Sequence, residues 1–334
     1  MKAAVHTRYG PPEVIRVVDV DPPKIGDGDV LVRIHATTVN RTDCGFRAAT
    51  PWIVRFFSGL RRPKATILGC EFAGVVEAIG AGVTAFRAGD RVFGFSEDRF
   101  GGHAEHLAFP ADGAIATIPD EVTFETAAAS TEGSHYARSA IARAKIRAGQ
   151  RVLVNGGTGA IGSAAIQLLR ELGAHVTTVC AGEHAELVRG LGAERTIDRT
   201  TEDFTRDPQT YDVVLDAVGK SSFGRCKRLL TTRGIYLSSD LGPWSMNPLL
   251  ALLTPLGRGR RVVFPIPPRY RKPEVERVAE ELAAGTFRPV IDRSYPLDQI
   301  VEASRYVESE EKIGNVIITV VPTDRPPPGS GRPV

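Results

Sequence analysis

The sequence predicts an α/β protein of two domains, one β-rich and built of short strands, the other a doubly wound parallel sheet with helices on both faces. Three observations predict it. The first ~120 residues carry short β-branched runs separated by Gly and Pro turn signals. From Thr126 onward, helix-length and strand-length segments alternate, the pattern of a parallel sheet. Within that second part, an apolar strand runs into Gly157-Thr158-Gly159-Ala160-Ile161-Gly162 and then into an Ala-rich helix.

In chain order, Val14 to Val20 and Val30 to Ala36 read as strands, with Pro22-Pro23 and Gly26-Asp27-Gly28 between them. Gly74 to Gly80 and Gly89 to Gly94 continue the series and suggest a compact barrel-like domain. Thr126 to Ala144 reads as one helix leading into the strand Arg151 to Asn155. A helix from Ala160 to Leu172 follows, then a strand from His175 to Cys180, a helix from Ala185 to Leu191 and a short strand at Thr196-Ile197. Tyr211 to Ala217, Gly234 to Ser238 and Arg261 to Pro265 read as further strands. Pro265 favours an edge position for the last, the alternative being an internal strand. A charged amphipathic helix after Pro273 runs to about Ala284, and the β-branched strand Ile313 to Val321 is expected to return to the first domain. The Pro-rich tail from Pro322 is expected to be disordered. The expected division is 1–125 and 271–321 for the β-rich domain, 126–270 for the parallel-sheet domain, and 322–334 for the tail.

A net charge of +3 over 334 residues gives no case for a general nucleic-acid surface. No run approaches the ~20 apolar residues of a membrane helix. Met1 to Val5 reads directly into a strand without a signal-like apolar region, so a cytoplasmic location is expected. Cys44, Cys70, Cys180 and Cys226 lie far apart and form no CxxC pair, which argues for free thiols rather than disulfides or a structural zinc lobe.

The glycine segment has the spacing G-x-G-x-x-G between strand and helix. Gly157 is expected to permit the tight turn, Gly159 to let backbone approach a pyrophosphate, and Gly162 to let helix pack on strand. The amides of Thr158, Ala160 and Ile161 then face an anion at the helix start. The alternative is a purely structural Gly-rich turn. An acid at the end of the second strand commonly reads the ribose hydroxyls; Cys180-Ala181-Gly182 stands there instead, which permits NADP. Glu183 and His184 follow at once, so NAD stays open.

The chain resembles the medium-chain dehydrogenase/reductase superfamily in its zinc-independent quinone-oxidoreductase branch, which also takes in NAD(P)-dependent alcohol-dehydrogenase-like members. The resemblance rests on Val39-Asn40-Arg41-Thr42-Asp43, Leu68-Gly69-Cys70-Glu71-Phe72-Ala73-Gly74-Val75-Val76, Gly89 to Gly94, the glycine turn, and Tyr211 to Gly219. It implies a GroES-like substrate domain built from both chain ends, a Rossmann domain between them with an active-site cleft at their junction, and a homodimer formed through the Rossmann sheet edge. Positions that hold zinc in metal-dependent members match Asn40, Cys70 and Thr131, of which only Cys70 is a ligand type; a catalytic zinc needs three protein ligands, so none is expected. The resemblance also implies that Asn40, Thr131, Val218, Ser238, Ser239, Lys312 and Asn315 approach the cofactor. Asn40 is expected at the nicotinamide ribose or the substrate, the alternative being a turn-stabilising residue, and Asp43 reads as either its orienter or a helix cap.

Thr131-Glu132-Gly133-Ser134-His135-Tyr136 concentrates groups able to transfer protons, with Tyr136 the preferred donor and His135 second; the alternative for each is a helix residue packed at the domain boundary. A metal lowers the pKa of bound water from ~15.7 to ~7, roughly 12 kcal/mol of charge stabilisation, whereas one oxyanion donor supplies about 3–4 kcal/mol. Reduction of a conjugated carbonyl, which delocalises its own charge, therefore suits these residues better than oxidation of a simple alcohol. The apolar stretches Pro51 to Phe57 and Trp244 to Leu256, each followed by arginines, would suit a hydrophobic substrate, free or carried on a phosphate-bearing arm; core packing or a dimer interface is the plainer role. The leading expectation is a quinone, enone or enoyl-thioester reductase. The alternatives are a zinc-free alcohol or aldehyde oxidoreductase, and a dinucleotide-binding protein without turnover.

Overall fold

The computed structural model describes residues 1–320 apart from Glu97, Ser239, Arg258 and 266–268, and apart from the side chain of Pro243. The expected tail at 322–334 lies outside the described residues. The strands in chain order are β1 (Lys2–Val5), β2 (Arg16–Asp19), β3 (Asp29–Val39), β4 (Glu71–Ile79), β5 (Arg91–Phe95), β6 (His106–Pro110) and β7 (Ile115–Thr117), then β8 (Arg151–Asn155), β9 (His175–Cys180), β10 (Arg195–Asp198), β11 (Tyr211–Asp216), β12 (Leu230–Ser238) and β13 (Arg261–Val263), and last β14 (Ile291–Pro296) and β15 (Asn315–Thr319).

The chain divides into two compact units. The first holds Met1–Ala129, Arg271–Ala283 and the segment from Ile291 onward; the second holds Ser130–Tyr270 and Ala284–Val290. The sequence places all of 271–321 in the first unit, but 284–290 belongs to the second. Gln167 accounts for the difference: its side chain donates to the carbonyl of Arg288 at 3.0 Å and accepts from the Arg288 amide at 2.9 Å, while Phe287 is buried.

In the first unit, β3 is the hub, pairing antiparallel with β4, β6 and β15. Its alternating burial puts Val30, Val32 and Ile34 inward, as the period of two requires, against Phe72, Val92 and Ile115. β15 pairs with β3 from Val316 opposite Val39 to Thr319 opposite Ala36, so the C-terminal strand does return to the N-terminal sheet.

In the second unit, six parallel strands run in the order β10-β9-β8-β11-β12-β13, the doubly wound order with its switch point between β8 and β11. β13 closes this order at one edge, as Pro265 favours. The helix expected over Thr126–Ala144 is two helices, Phe124–Ala128 and Thr131–Ala144. The Ser134 hydroxyl bonds back to the carbonyls of Ser130 and Thr131 next to the break, a local bond that competes with the helical ladder. The two apolar stretches are largely exposed at Trp52, Phe56, Phe57, Trp244, Leu252 and Leu256, while Leu250 and Ala251 of the second pack against the sheet core.

Candidate functional site: a glycine turn and two polar clusters

Val152, Leu153 and Val154 of β8 are fully buried, as expected for a central parallel strand covered on both faces. The chain leaves this strand through a left-handed residue, and that residue is Gly156 (φ +86°), not Gly157 as the motif spacing suggests. Gly157 is required for a different reason. A Cβ there would lie 1.9 Å from Thr178 Oγ1, because the turn passes directly over β9. A Cβ on Gly162 would lie 2.1 Å from the Gly156 carbonyl, which is the close helix-on-strand approach expected of it. At Gly159 a Cβ would meet only the Gly156 oxygen, at 3.6 Å, so this face of the turn is open.

Gly159 is also the N-cap of the helix Ala160–Glu171, and no side chain caps it. The amides of Ala160, Ile161 and Gly162 are thus offered at a bare helix start beside open space, the arrangement that binds a pyrophosphate. The residues present fit a dinucleotide.

Asp216, which the sequence reading passed over, ties this turn to its neighbour. Fully buried at the end of β11, it accepts from Asn155 Nδ2 at 2.9 Å, from the Ser221 amide at 2.8 Å and from the Tyr236 hydroxyl at 3.1 Å. Burial and the nearby Asp216 push the Tyr236 phenol upward, which keeps it a neutral donor. The loop so fixed carries Val218, and a Cβ on Gly156 would lie 2.3 Å from Val218 Cγ1. The structure therefore brings Val218 to the glycine turn. The signal was an acid ending an otherwise apolar strand, an arrangement that obliges a buried carboxylate to find donors. Ser238, at the end of β12, is buried and accepts from the Asp240 amide at 3.2 Å; Ser239 lies outside the described residues.

At the end of β9, Cys180 is buried, and burial raises its thiol pKa. Glu183 Oε1 lies 3.5 Å from His184 Nε2. A second acid, invisible in the local sequence, reaches this corner from the next strand: Asp198 is paired in register with Cys180, and a Cβ on Gly182 would lie 2.4 Å from Asp198 Oδ2. The Thr200 hydroxyl and amide, bonded at 2.7 and 2.9 Å, hold the Asp198 carboxyl below its ordinary pKa.

The helix Thr131–Ala144 packs on the helix start at Ala160, so closely that a Cβ on Gly133 would lie 2.6 Å from the Ala160 carbonyl. Thr131, Glu132 and His135 are buried, while Tyr136 is partly exposed. The His135 ring packs on Tyr270 at 4.6 Å and meets Tyr136 edge-on at 6.0 Å.

Asn40 and its neighbours form a separate cluster in the first unit. Asn40 caps the helix Arg41–Ala48: its Oδ1 accepts from the Asp43 amide at 2.9 Å, and the Asp43 carboxylate accepts from the Asn40 amide at 3.2 Å. This reciprocal capping box settles which of the two is the cap. Asp43 also accepts from the Gly69 amide at 3.0 Å, and burial raises its pKa. Asn40 Nδ2 donates to Cys70 Sγ at 3.0 Å and to Glu71 Oε2 at 3.5 Å. The Thr38 hydroxyl donates to the same Glu71 oxygen, and His103 Nε2 lies 2.8 Å from the Thr38 carbonyl. Further along the unit, Asn315 is buried at the start of β15 and Lys312 Nζ donates to the Gly314 carbonyl at 2.5 Å. Among the described residues, no group of three or more His, Cys, Asp or Glu side chains could hold a metal ion. The residues at 40 and 70, an amide bonded to a thiol, do not fit a zinc ion.

A doubly wound sheet with a bare, glycine-lined helix start, carried on one chain with a β-rich unit, defines a two-domain nicotinamide oxidoreductase. Residues 26–120 match the model of the alcohol dehydrogenase GroES-like domain, and residues 191–318 match that of the zinc-binding dehydrogenase family. Similar proteins include a 2-methylene-furan-3-one reductase of Solanum lycopersicum, 29% identical over 96% of this chain and 80% of its own length. A quinone oxidoreductase of Pongo abelii is 29% identical over 91% of this chain and 92% of its own length. A mycobacterial protein solved in complex with NADPH superposes with a TM-score of 0.78 at 26% identity, over 96% of this chain and all of that one. The chain belongs to the medium-chain dehydrogenase/reductase superfamily, in its quinone-oxidoreductase and alkenal/one-reductase branch, and is an NAD(P)H oxidoreductase.

Proposed function

We propose that the chain reduces conjugated carbonyls (quinones, enones or enoyl thioesters) with NADPH. When bound, the reduced nicotinamide supplies a hydride to the β-carbon of the acceptor, the C=C electrons pass to the carbonyl oxygen as an enolate, and a proton completes the reduction at the α-carbon or oxygen. The carrying observation is the open glycine turn with its uncapped helix amides, which the residues of this chain offer to a pyrophosphate. Val218 and the Asp216 network hold the adjoining loop against that turn.

In this reading Tyr136 gives the proton. It is the partly exposed member of an otherwise buried stretch that packs on the same helix start, and its hydroxyl is an O–H donor. A conjugated acceptor asks one donor for a few kcal/mol of charge stabilisation, which a phenol supplies. The names of the relatives, a methylene-furanone reductase and a quinone oxidoreductase, support the same class of acceptor.

Tyr136→Phe is expected to lower turnover at least ten-fold, about 1.4 kcal/mol of transition-state stabilisation, with the NADPH dissociation constant unchanged. An unchanged rate removes Tyr136 from the mechanism. For the reaction itself, purified protein is assayed with NADPH across quinones, enones and enoyl thioesters beside saturated aldehydes. Turnover confined to the aldehydes overturns the proposal. The Asp198 carboxylate beside Gly182 favours NADH as a second reading, because an acid near the ribose repels a 2′-phosphate. Titration with both nucleotides, on native protein and on Asp198→Asn, decides between them.

A further inference from the structure

The glycine turn sits at one end of β8, after Asn155. At the other end of the same sheet, where β8, β11, β12 and β13 begin, lies a cavity of about 290 Å³. Its wall carries Lys145, Arg147, Arg233 and Arg261, all exposed, and one acid, Asp212. Among the described residues, none of the four cationic side chains is engaged in an ion pair or side-chain hydrogen bond. Asp212 does not neutralise them. Its Oδ2 accepts the Arg151 amide at 3.0 Å and its Oδ1 the Thr231 hydroxyl at 3.4 Å, so the carboxylate is spent on the strand starts.

The formal charge of the lining, four cations minus one acid, is +3, equal to the net charge of the whole 334-residue chain. Four like charges lining one small concavity repel one another. An anion relieves that repulsion. A single phosphate neutralises the lining only in part, whereas a group with three or more negative charges matches it. The arginines add forked donors suited to phosphate oxygens. The volume falls just below the roughly 300–1,000 Å³ typical of small-molecule sites, which suits a small di- or triphosphate rather than a macromolecule.

We propose that this basic cavity binds a small polyphosphate anion, at a site separate from the glycine turn by the length of β8, four residue steps or about 13 Å. The site is an effector position on the cofactor-binding unit and takes no part in hydride transfer.

The test titrates sodium tripolyphosphate into protein saturated with NADPH, at low ionic strength, by calorimetry and by thermal melting. One-to-one binding is expected, weakening steeply as salt is added. In Arg147→Ala/Arg233→Ala the affinity is expected to fall at least ten-fold and the thermal shift to vanish. The melting temperature without anion should not fall, since both side chains are exposed and removing them lessens the repulsion. Should that variant fail to fold, Lys145→Ala/Arg261→Ala serves in its place. Equal affinity in native protein and variant overturns the proposal, as does many-site binding. Binding that appears only without NADPH also overturns it, because the anion then occupies the glycine turn.

Discussion

The glycine turn of the second unit and the Asn40 cluster of the first read alike in the sequence, each as a place where the chain meets a cofactor or substrate. The structure separates them by what their polar groups are doing. At the turn, three backbone amides stand at an uncapped helix start beside open space. Around Asn40, Oδ1 is taken by the helix it caps and Nδ2 by Cys70 and Glu71, and the whole residue is only 3% exposed. One region holds unspent hydrogen-bonding capacity, and the other has consumed its own. That difference, rather than residue type, is what distinguishes the two regions.

Alanine substitutions in the turn break the comparison most directly. Gly157→Ala drives a methyl into Thr178 and should cost of order 3 kcal/mol in stability and abolish NADPH binding together. Gly159→Ala meets no protein atom closer than 3.6 Å, so its melting temperature should match that of the native protein while NADPH affinity drops at least ten-fold. Fluorescence titration and thermal melting on the same samples read both quantities. A Gly159→Ala protein with native affinity would mean that the open face does not hold the pyrophosphate.

The same contrast explains what was legible in the sequence. Glycine constraints are steric and local, so the turn could be read from G-x-G-x-x-G together with the apolar strand before it and the helix-length segment after it. The assignment of the tight turn to Gly157 failed because left-handed backbone at 156 and contact with β9 at 157 are both met by glycine, and only the fold says which demand falls where. The order of strands comes from the structure, but the parallel sheet itself was equally legible, since strand-length and helix-length segments alternate. Polar roles were not. Asp216 and Asp198 act through strands that are neighbours in space, and the capping box at Asn40 was decided by a reciprocal pair three residues apart that serves a helix and a substrate site equally well as a pattern. The break at Ala129-Ser130 interrupts a run of helix-forming residues, which periodicity does not register.

His35 is the exception within the first unit and sharpens the contrast. Among the described residues both ring nitrogens are buried without a hydrogen-bond partner, and the ring stacks on Phe124 at 4.2 Å. Burial, aided by Arg33, pulls its pKa down to about 4. A histidine whose folded pKa is depressed leaves stability intact above its unfolded pKa of ~6.5 and withdraws it as pH falls toward the folded value. The loss between pH 6.5 and 4 amounts to at most ~3 kcal/mol. Urea denaturation across that window should show the decline, and His35→Phe should flatten it. His6, lowered by burial as well, leaves a residual slope in the variant. An identical slope in both proteins would show that His35 is hydrated in the folded chain.

The smallest expected effect bears on the comparison most closely, because it asks whether Asn40 is a brace alone. Asn40→Ala removes the cap of Arg41–Ala48 and the donor to Cys70 and Glu71, and should cost about 1–2 kcal/mol. Asn40→Ser restores the capping oxygen but not the amide donor, so it should recover most of the cap's ~1 kcal/mol. Glu71 keeps the Thr38 hydroxyl in both variants, which limits the damage around its buried carboxylate. A pure brace leaves the NADPH dissociation constant of both variants within a factor of two of the native value, once protein is compared well below its melting temperature. A cofactor contact would instead weaken NADPH ten-fold in both, including the serine variant whose helix is capped again. Stability follows the capping oxygen and affinity follows the amide, so the two substitutions separate the roles that the sequence alone leaves joined.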